Sequence, residues 1–168
     1  DGERDGMERP TALLSADVSP VRGLTFGLDV RQSSQSYDLD DYDPGATSPA
    51  GYVVDDPDLF ADRDELTAGV FAEYEMPGGR GVHRLDWQVT DNEQSRNPAV
   101  ETRSEALKYR FTYGLDAPVS EARQMLTFFV EDSEDSSSSN PAFDRETTSY
   151  ALEYQGSFDN GLTVQAGV

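Results

Sequence analysis

Apolar and polar residues alternate along eight short segments of this chain. Leu24, Phe26, Leu28 and Val30 interleave with Thr25, Gly27, Asp29 and Arg31. Leu66, Ala68, Val70, Ala72 and Tyr74 interleave with Thr67, Gly69, Phe71 and Glu73. A period of two sends successive side chains to opposite sides of an extended backbone. Each segment therefore predicts a strand with one apolar and one polar face.

The pattern places strands over about Thr11 to Val18, Leu24 to Ser36, Glu65 to Glu75, Val82 to Asp91, Ser104 to Leu115, Arg123 to Glu131, Arg145 to Gln155, and Leu162 onwards. Ser19 to Gly23, Pro77-Gly78-Gly79, Asp116 to Ala122 and Asp159-Asn160-Gly161 read as short turns, the last carrying an Asn-Gly hairpin signal. Tyr37 to Arg63, Asn92 to Thr102 and Asp132 to Phe143 read as longer connections, rich in Asp, Ser, Pro and Gly. Short connections thus come first, third, fifth and seventh, and long ones second, fourth and sixth.

Such sorting predicts an all-β, antiparallel up-and-down meander of about eight strands, forming a section of a transmembrane β-barrel with short turns at one end and long loops at the other. Strand five tests the phase. With Leu107, Tyr109, Phe111, Tyr113 and Leu115 towards lipid, Lys108 and Arg110 face a polar lumen; the opposite phase puts each cation in hydrocarbon at roughly 2–4 kcal/mol near the midplane. The competing fold is a soluble β-sandwich, which also alternates and would bury Leu28, Val70, Phe111 and Leu152 between two layers. If short turns are periplasmic, both chain ends fall on the external side and the chain stops in mid-strand. The expectation is one β-barrel segment over 1–168 without a plug domain, an internal section of a larger barrel; the alternative is a complete eight-stranded barrel.

Composition bears on this in three ways. Hydrophobic residues make up 36% and the net charge is -20, values that suggest disorder in a uniform chain. Regular alternation argues instead for strands in which every second residue is apolar. No apolar run is long enough for a spanning helix, and the charged start, Asp1 to Pro10, reads as lacking a signal peptide. The acidic balance disfavours nucleic acid, and the absence of cysteine removes disulfides and thiol chemistry.

Three stretches carry a family resemblance: TTSYALEYQGSFDNGLTVQAGV (Thr147 to Val168), DELTAGVFAEYE (Asp64 to Glu75) and LKYRFTYGL (Leu107 to Leu115). They resemble strand–turn–strand units of TonB-dependent outer-membrane receptors of the vitamin B12 or siderophore type, as does the strand and acidic loop from Leu24 to Asp43. The resemblance implies a 22-stranded barrel in the bacterial outer membrane, lipid around it, and a plug domain and TonB as partners, neither of which is visible in this sequence. It also implies import of a scarce small-molecule nutrient such as cobalamin or an iron-siderophore. A passive porin-like channel and a soluble β-sandwich binding module are the alternatives.

Two groups of residues are candidate sites. Asp38, Asp40, Asp41 and Asp43, with Asp55, Asp56 and Asp58 further along the same loop and Asp91 approaching from the next, offer hard oxygen ligands suited to Ca²⁺. Their spacing resembles calcium-binding external loops of vitamin B12-type receptors; a solvated acidic loop is the other reading. The second group is a polar wall of Asp29, Arg31, Glu73, Arg84, Asp86, Lys108, Arg110 and Glu153. It lines a lumen or pairs across neighbouring strands. Tyr74, Trp87, Tyr109, Tyr113, Tyr150 and Tyr154 read as interface girdle or lipid-facing residues. The single histidine, His83, lies beside a tight turn, and no phosphate loop or HExxH helix occurs. The chain is expected not to be an enzyme.

Overall fold

The computed structural model describes residues 7–42, 45, 53–95 and 99–168. Their strands are β1 (Met7–Glu8), β2 (Thr11–Val21), β3 (Leu24–Tyr42), β4 (Val53–Glu75), β5 (Gly81–Ser95), β6 (Val100–Gly114), β7 (Gln124–Ser137), β8 (Arg145–Ser157) and β9 (Thr163–Gly167). All belong to one antiparallel sheet, in which β1 and β2 pair with β3 and each later strand pairs with the next. The fold is an all-β meander of eight strand positions. Among the described residues no α-helix occurs, only a 3-10 turn at Pro141–Phe143.

The register turns the alternation into two continuous faces. Leu24, Tyr74, His83, Phe111, Phe128 and Leu152 stand directly opposite one another across β3 to β8. Leu28, Val70, Trp87 and Leu107 form a parallel row on the same face. Among the described residues nothing covers this face: Leu28 is 38% exposed, Val70 45% and Leu152 44%. Ala61 and Val89 are the buried apolar residues among those described. Among the described residues the sheet is a single layer, without the second layer a sandwich requires, and it does not close on itself: β2 and β9 are its edges.

The hairpin ends are staggered. Counting from the Leu24–Leu152 row, β2 and β3 close at Val21 and Leu24. β4 and β5 close at the Met76 N–H to Gly81 bond, β6 and β7 at Leu115 to Gln124, and β8 and β9 at Phe158 to Leu162. Each closure lies two residues beyond the one before it, a slope of one residue per strand. The other edge of the apolar face slopes the same way, from Leu66 on β4 through Val89 and Leu107 to Val130 and Tyr150 on β7 and β8. The apolar surface is thus an oblique band.

The long connections differ from the expectation. Most of Tyr37 to Arg63 belongs to strands β3 and β4, which pair across it in part: Tyr37 stands opposite Ala61 and Asp40 opposite Asp55. β5 continues to Ser95 and β7 to Ser137. The β5–β6 connection is confined to residues 96–99, whereas β6–β7 takes 115–123, so loop length does not sort into two ends. What does sort is overhang. Strands stop at the edge of the apolar band on one side and run far past it on the other. Beyond the band apolar residues no longer alternate regularly with polar ones, while backbone pairing continues.

The turns follow local chemistry. Gly78 and Gly79 both take left-handed φ, +87° and +71°, which glycine alone adopts without cost. At Asp159-Asn160-Gly161 only Gly161 is left-handed. Asn160 instead accepts the Leu162 N–H on Oδ1 at 3.0 Å, so the turn is not the two-residue Asn-Gly type.

Candidate functional site

All eight residues of the expected polar wall lie on one face of the sheet, opposite the apolar band. Arg84 is the hub. Its guanidinium donates to Asp86 Oδ1 at 2.9 Å and to Glu73 Oε2 at 3.2 Å, and its Cζ sits 4.0 Å above the Phe71 ring. The Phe71 ring in turn lies over Gly27, its direct cross-strand partner, in space a β-carbon would occupy. A glycine opposite an aromatic lets the ring lie flat on the neighbouring strand. Lys108 pairs with Glu131 at 3.5 Å, and Glu153 accepts from Gln155 at 2.8 Å. Asp29 and Arg31 have no ion pair among the described residues.

The opposite face carries the aromatic residues. Tyr74, Trp87, Tyr109, Tyr113, Tyr150 and Tyr154 all share the apolar side. His83 stands among them: its ring stacks on Phe111 at 4.5 Å and its Nδ1 is 2.8 Å from the Tyr109 hydroxyl. Trp87 Nε1 donates to Glu105 at 2.7 Å, where the apolar band ends on β6.

Past the band the two faces differ in charge. On the apolar side, Asp64, Glu93 and Glu101 stand directly opposite one another across β4 to β6, and Glu105, Glu134 and Glu146 do so across β6 to β8. Arg103 is the basic residue among them; it bonds Asp91 at 3.0 Å and reaches Glu105 at 3.4 Å. On the polar side the charges balance: Arg63 pairs with Glu65 and Arg145 with Asp135, among Thr67, Thr90, Ser104 and Thr102. Thr67 and Thr90 share a hydroxyl contact at 3.2 Å. The Ser104 hydroxyl and then Arg145 hold the Asp135 carboxyl below the usual range. At the opposite end, the Gln124 N–H and then the Arg123 N–H, each 3.1 Å from Asp116 Oδ1, lower the Asp116 carboxyl in the same way.

Of the calcium candidates Asp38, Asp40, Asp41, Asp43 and Asp91, only Asp91 has a described side chain. Asp43 and the side chains of Asp38, Asp40 and Asp41 lie outside the described residues. Asp91 is aligned with Leu66 and Gln32, six residues along β3 from Asp38 and about 20 Å away at strand spacing, and its carboxylate is taken by Arg103. Among the described residues no cluster of three His, Asp or Glu side chains has metal-holding geometry.

Sequence reasoning missed Phe71, Glu131 and the His83–Tyr109 contact. Phe71 breaks the polar phase of β4, and the glycine at position 27 was the available signal. Comparison with protein-family models, curated proteins and solved structures returns no match.

Proposed function

We propose that this chain forms part of the wall of an outer-membrane transport barrel, lipid-facing on its apolar side and solute-facing on its Arg84 side. One observation carries the reading: an apolar band across eight antiparallel strand positions is left open in a single-layer sheet. In water such a surface would collapse or aggregate, whereas lipid satisfies it and leaves the alternate residues to line a polar interior. The stagger of the hairpin ends supports closure into a barrel, which requires strands tilted to the axis. The edges at β2 and β9 then pair with other strands of the same wall.

The finer reading is a TonB-dependent receptor importing a small nutrient, and its support is the resemblance of Asp64 to Glu75, Leu107 to Leu115 and Thr147 to Val168. Density-gradient fractionation of cells expressing the full protein tests the first level. Recovery with the outer membrane, in a form whose gel mobility changes on boiling, is expected; recovery in the aqueous fraction overturns it. Uptake that survives collapse of the proton-motive force would leave the barrel and remove the TonB assignment.

A further inference from the structure

We infer that the open hollow above Gly69, on the Arg84 side of the sheet, is a binding subsite for a small zwitterion, an α-amino acid or a solute that ends in one, held by Asp29 and Arg31. This rests on the solute-facing assignment of that side and names a solute class for it.

Gly69 interrupts the polar face where nothing in the fold calls for a glycine. Glycine weakens a strand interior, and its presence there marks a bulge, a bend or the close approach of a ligand or another backbone. Gly27 makes room for the Phe71 ring, but Gly69 makes room for no side chain. A β-carbon at Gly69 would meet the Trp87 carbonyl oxygen at 3.5 Å and Gln88 Cγ at 4.0 Å, both ordinary contacts. Nor is its φ left-handed. Asp29 and Gln88 stand directly opposite it on the two neighbouring strands. The row Asp29–Gly69–Gln88 therefore has side chains at both ends and none at its centre. The result is a hollow of about 200 Å³ that Arg31, Thr67 and Asp86 also line.

The polar groups at this hollow have no partners of their own. Asp29, Arg31 and Gln88 make no side-chain hydrogen bond or ion pair among the described residues. Elsewhere in the sheet, Arg63, Arg84 and Arg103 each close on the carboxylate two residues ahead on the same strand, at 3.4, 2.9 and 3.4 Å. Arg31 has a carboxylate at the same spacing, in Asp29 two residues behind it, and does not close on it. Their cross-strand neighbours carry no charge: Asp29 stands between Ser15 and Gly69, and Arg31 between Leu13 and Thr67.

A carboxylate and a guanidinium about 6.8 Å apart along one strand present opposite charges to one side of the hollow. A solute with an ammonium and a carboxylate on one carbon satisfies both, and the guanidinium can take the carboxylate through two parallel N–H groups. The Gln88 amide, about 9.6 Å across the sheet from Asp29, offers a donor and an acceptor to the solute's polar side chain. A simple anion would face Asp29 and Asp86 as well as Arg31, and a simple cation would face Arg31. Stacking of a sugar is closed off, because the Phe71 ring has Gly27 on one side and Arg84 on the other.

The test uses the full protein purified in detergent and equilibrium dialysis of radiolabelled L-serine. L-serinamide, N-acetyl-L-serine and glucose serve as competitors, each lacking one or both charges. The expected result is saturable retention of serine that unlabelled serine displaces and the three competitors do not. Asp29→Asn and Arg31→Gln should each weaken retention by about tenfold or more, through loss of a charge-assisted pair. Gly69→Val suits a strand and fills the hollow, so it should abolish retention while the heat-modifiable form persists. Equal retention by Gly69→Val, equal displacement by glucose, or no retention by protein in the heat-modifiable form overturns this inference and leaves the barrel reading intact. Lowered thermal stability of Asp29→Asn and Arg31→Gln with unchanged retention assigns both groups to contacts with another segment of the protein and overturns it likewise. Serine retention by protein recovered in the aqueous fraction overturns the barrel and leaves the subsite.

Discussion

Replacing Leu85 by arginine distinguishes a lipid-facing band from a water-facing one. Leu85 is 45% exposed and stands between Ala72 and Tyr109 on the apolar face. Along β5 the band runs from Gly81 to Val89, so Leu85 is at its centre. An arginine on the lipid face of a barrel costs about 2–4 kcal/mol at the midplane and about 0–1 near an interface. Leu85→Arg should therefore lower stability by ~3 kcal/mol, more than a hundredfold in the folding equilibrium. Leu107→Arg, at the outer limit on β6, should cost ~0.5 kcal/mol. Gln88→Arg, on the polar face of the same strand as Leu85, should stay within ~0.5 kcal/mol of the parent. Urea titration in dilauroyl bilayers measures all three. Equal effects for Leu85→Arg and Gln88→Arg would refute the assignment of faces, because a sheet wetted by water on both sides has no reason to separate them.

Gly27→Ala should destabilise by ~1–3 kcal/mol, because the new methyl meets the Phe71 ring; the same substitution in a Phe71→Ala background should be nearly neutral, read by the same titration. Arg84→Ala should cost ~1 kcal/mol, since its ion pairs are about one-third exposed and such pairs and cation–π contacts are each modest. A double-mutant cycle with Phe71→Leu should return a coupling of ~0.5 kcal/mol. Asp116 gives a pH dependence: its folded-state carboxyl is lowered by the Gln124 and Arg123 amides. Its contribution is therefore present above the unfolded value of ~3.9 and is lost as pH falls through the folded value. Asp116→Asn should flatten the acid limb of the unfolding profile below about pH 4 and leave the neutral region parallel to the parent.

The eight strands and their two faces were legible because each has a single apolar side, and period-two alternation records that directly. The faces of Asp29, Glu73, Arg84, Lys108 and Glu153 followed at once. Tyr37 to Arg63 read as a loop because its apolar residues are scattered among Asp, Pro and Gly without a period of two, although its two ends lie in paired strands. Stagger was equally hidden: register is a relation between two strands, and neither strand states it alone. The Gly27–Phe71–Arg84 stack illustrates the same limit. A phenylalanine in a polar phase looks like an exception until the glycine opposite shows where its ring rests. The opposed carboxylates of Glu105, Glu134 and Glu146 sit on three separate segments, so only their pairing reveals them as one row.

Because successive hairpin closures advance by the same increment, the hairpins repeat one geometric step. Copying or excising one pair of strands would change the width of such a sheet while preserving the slope of its hairpin ends.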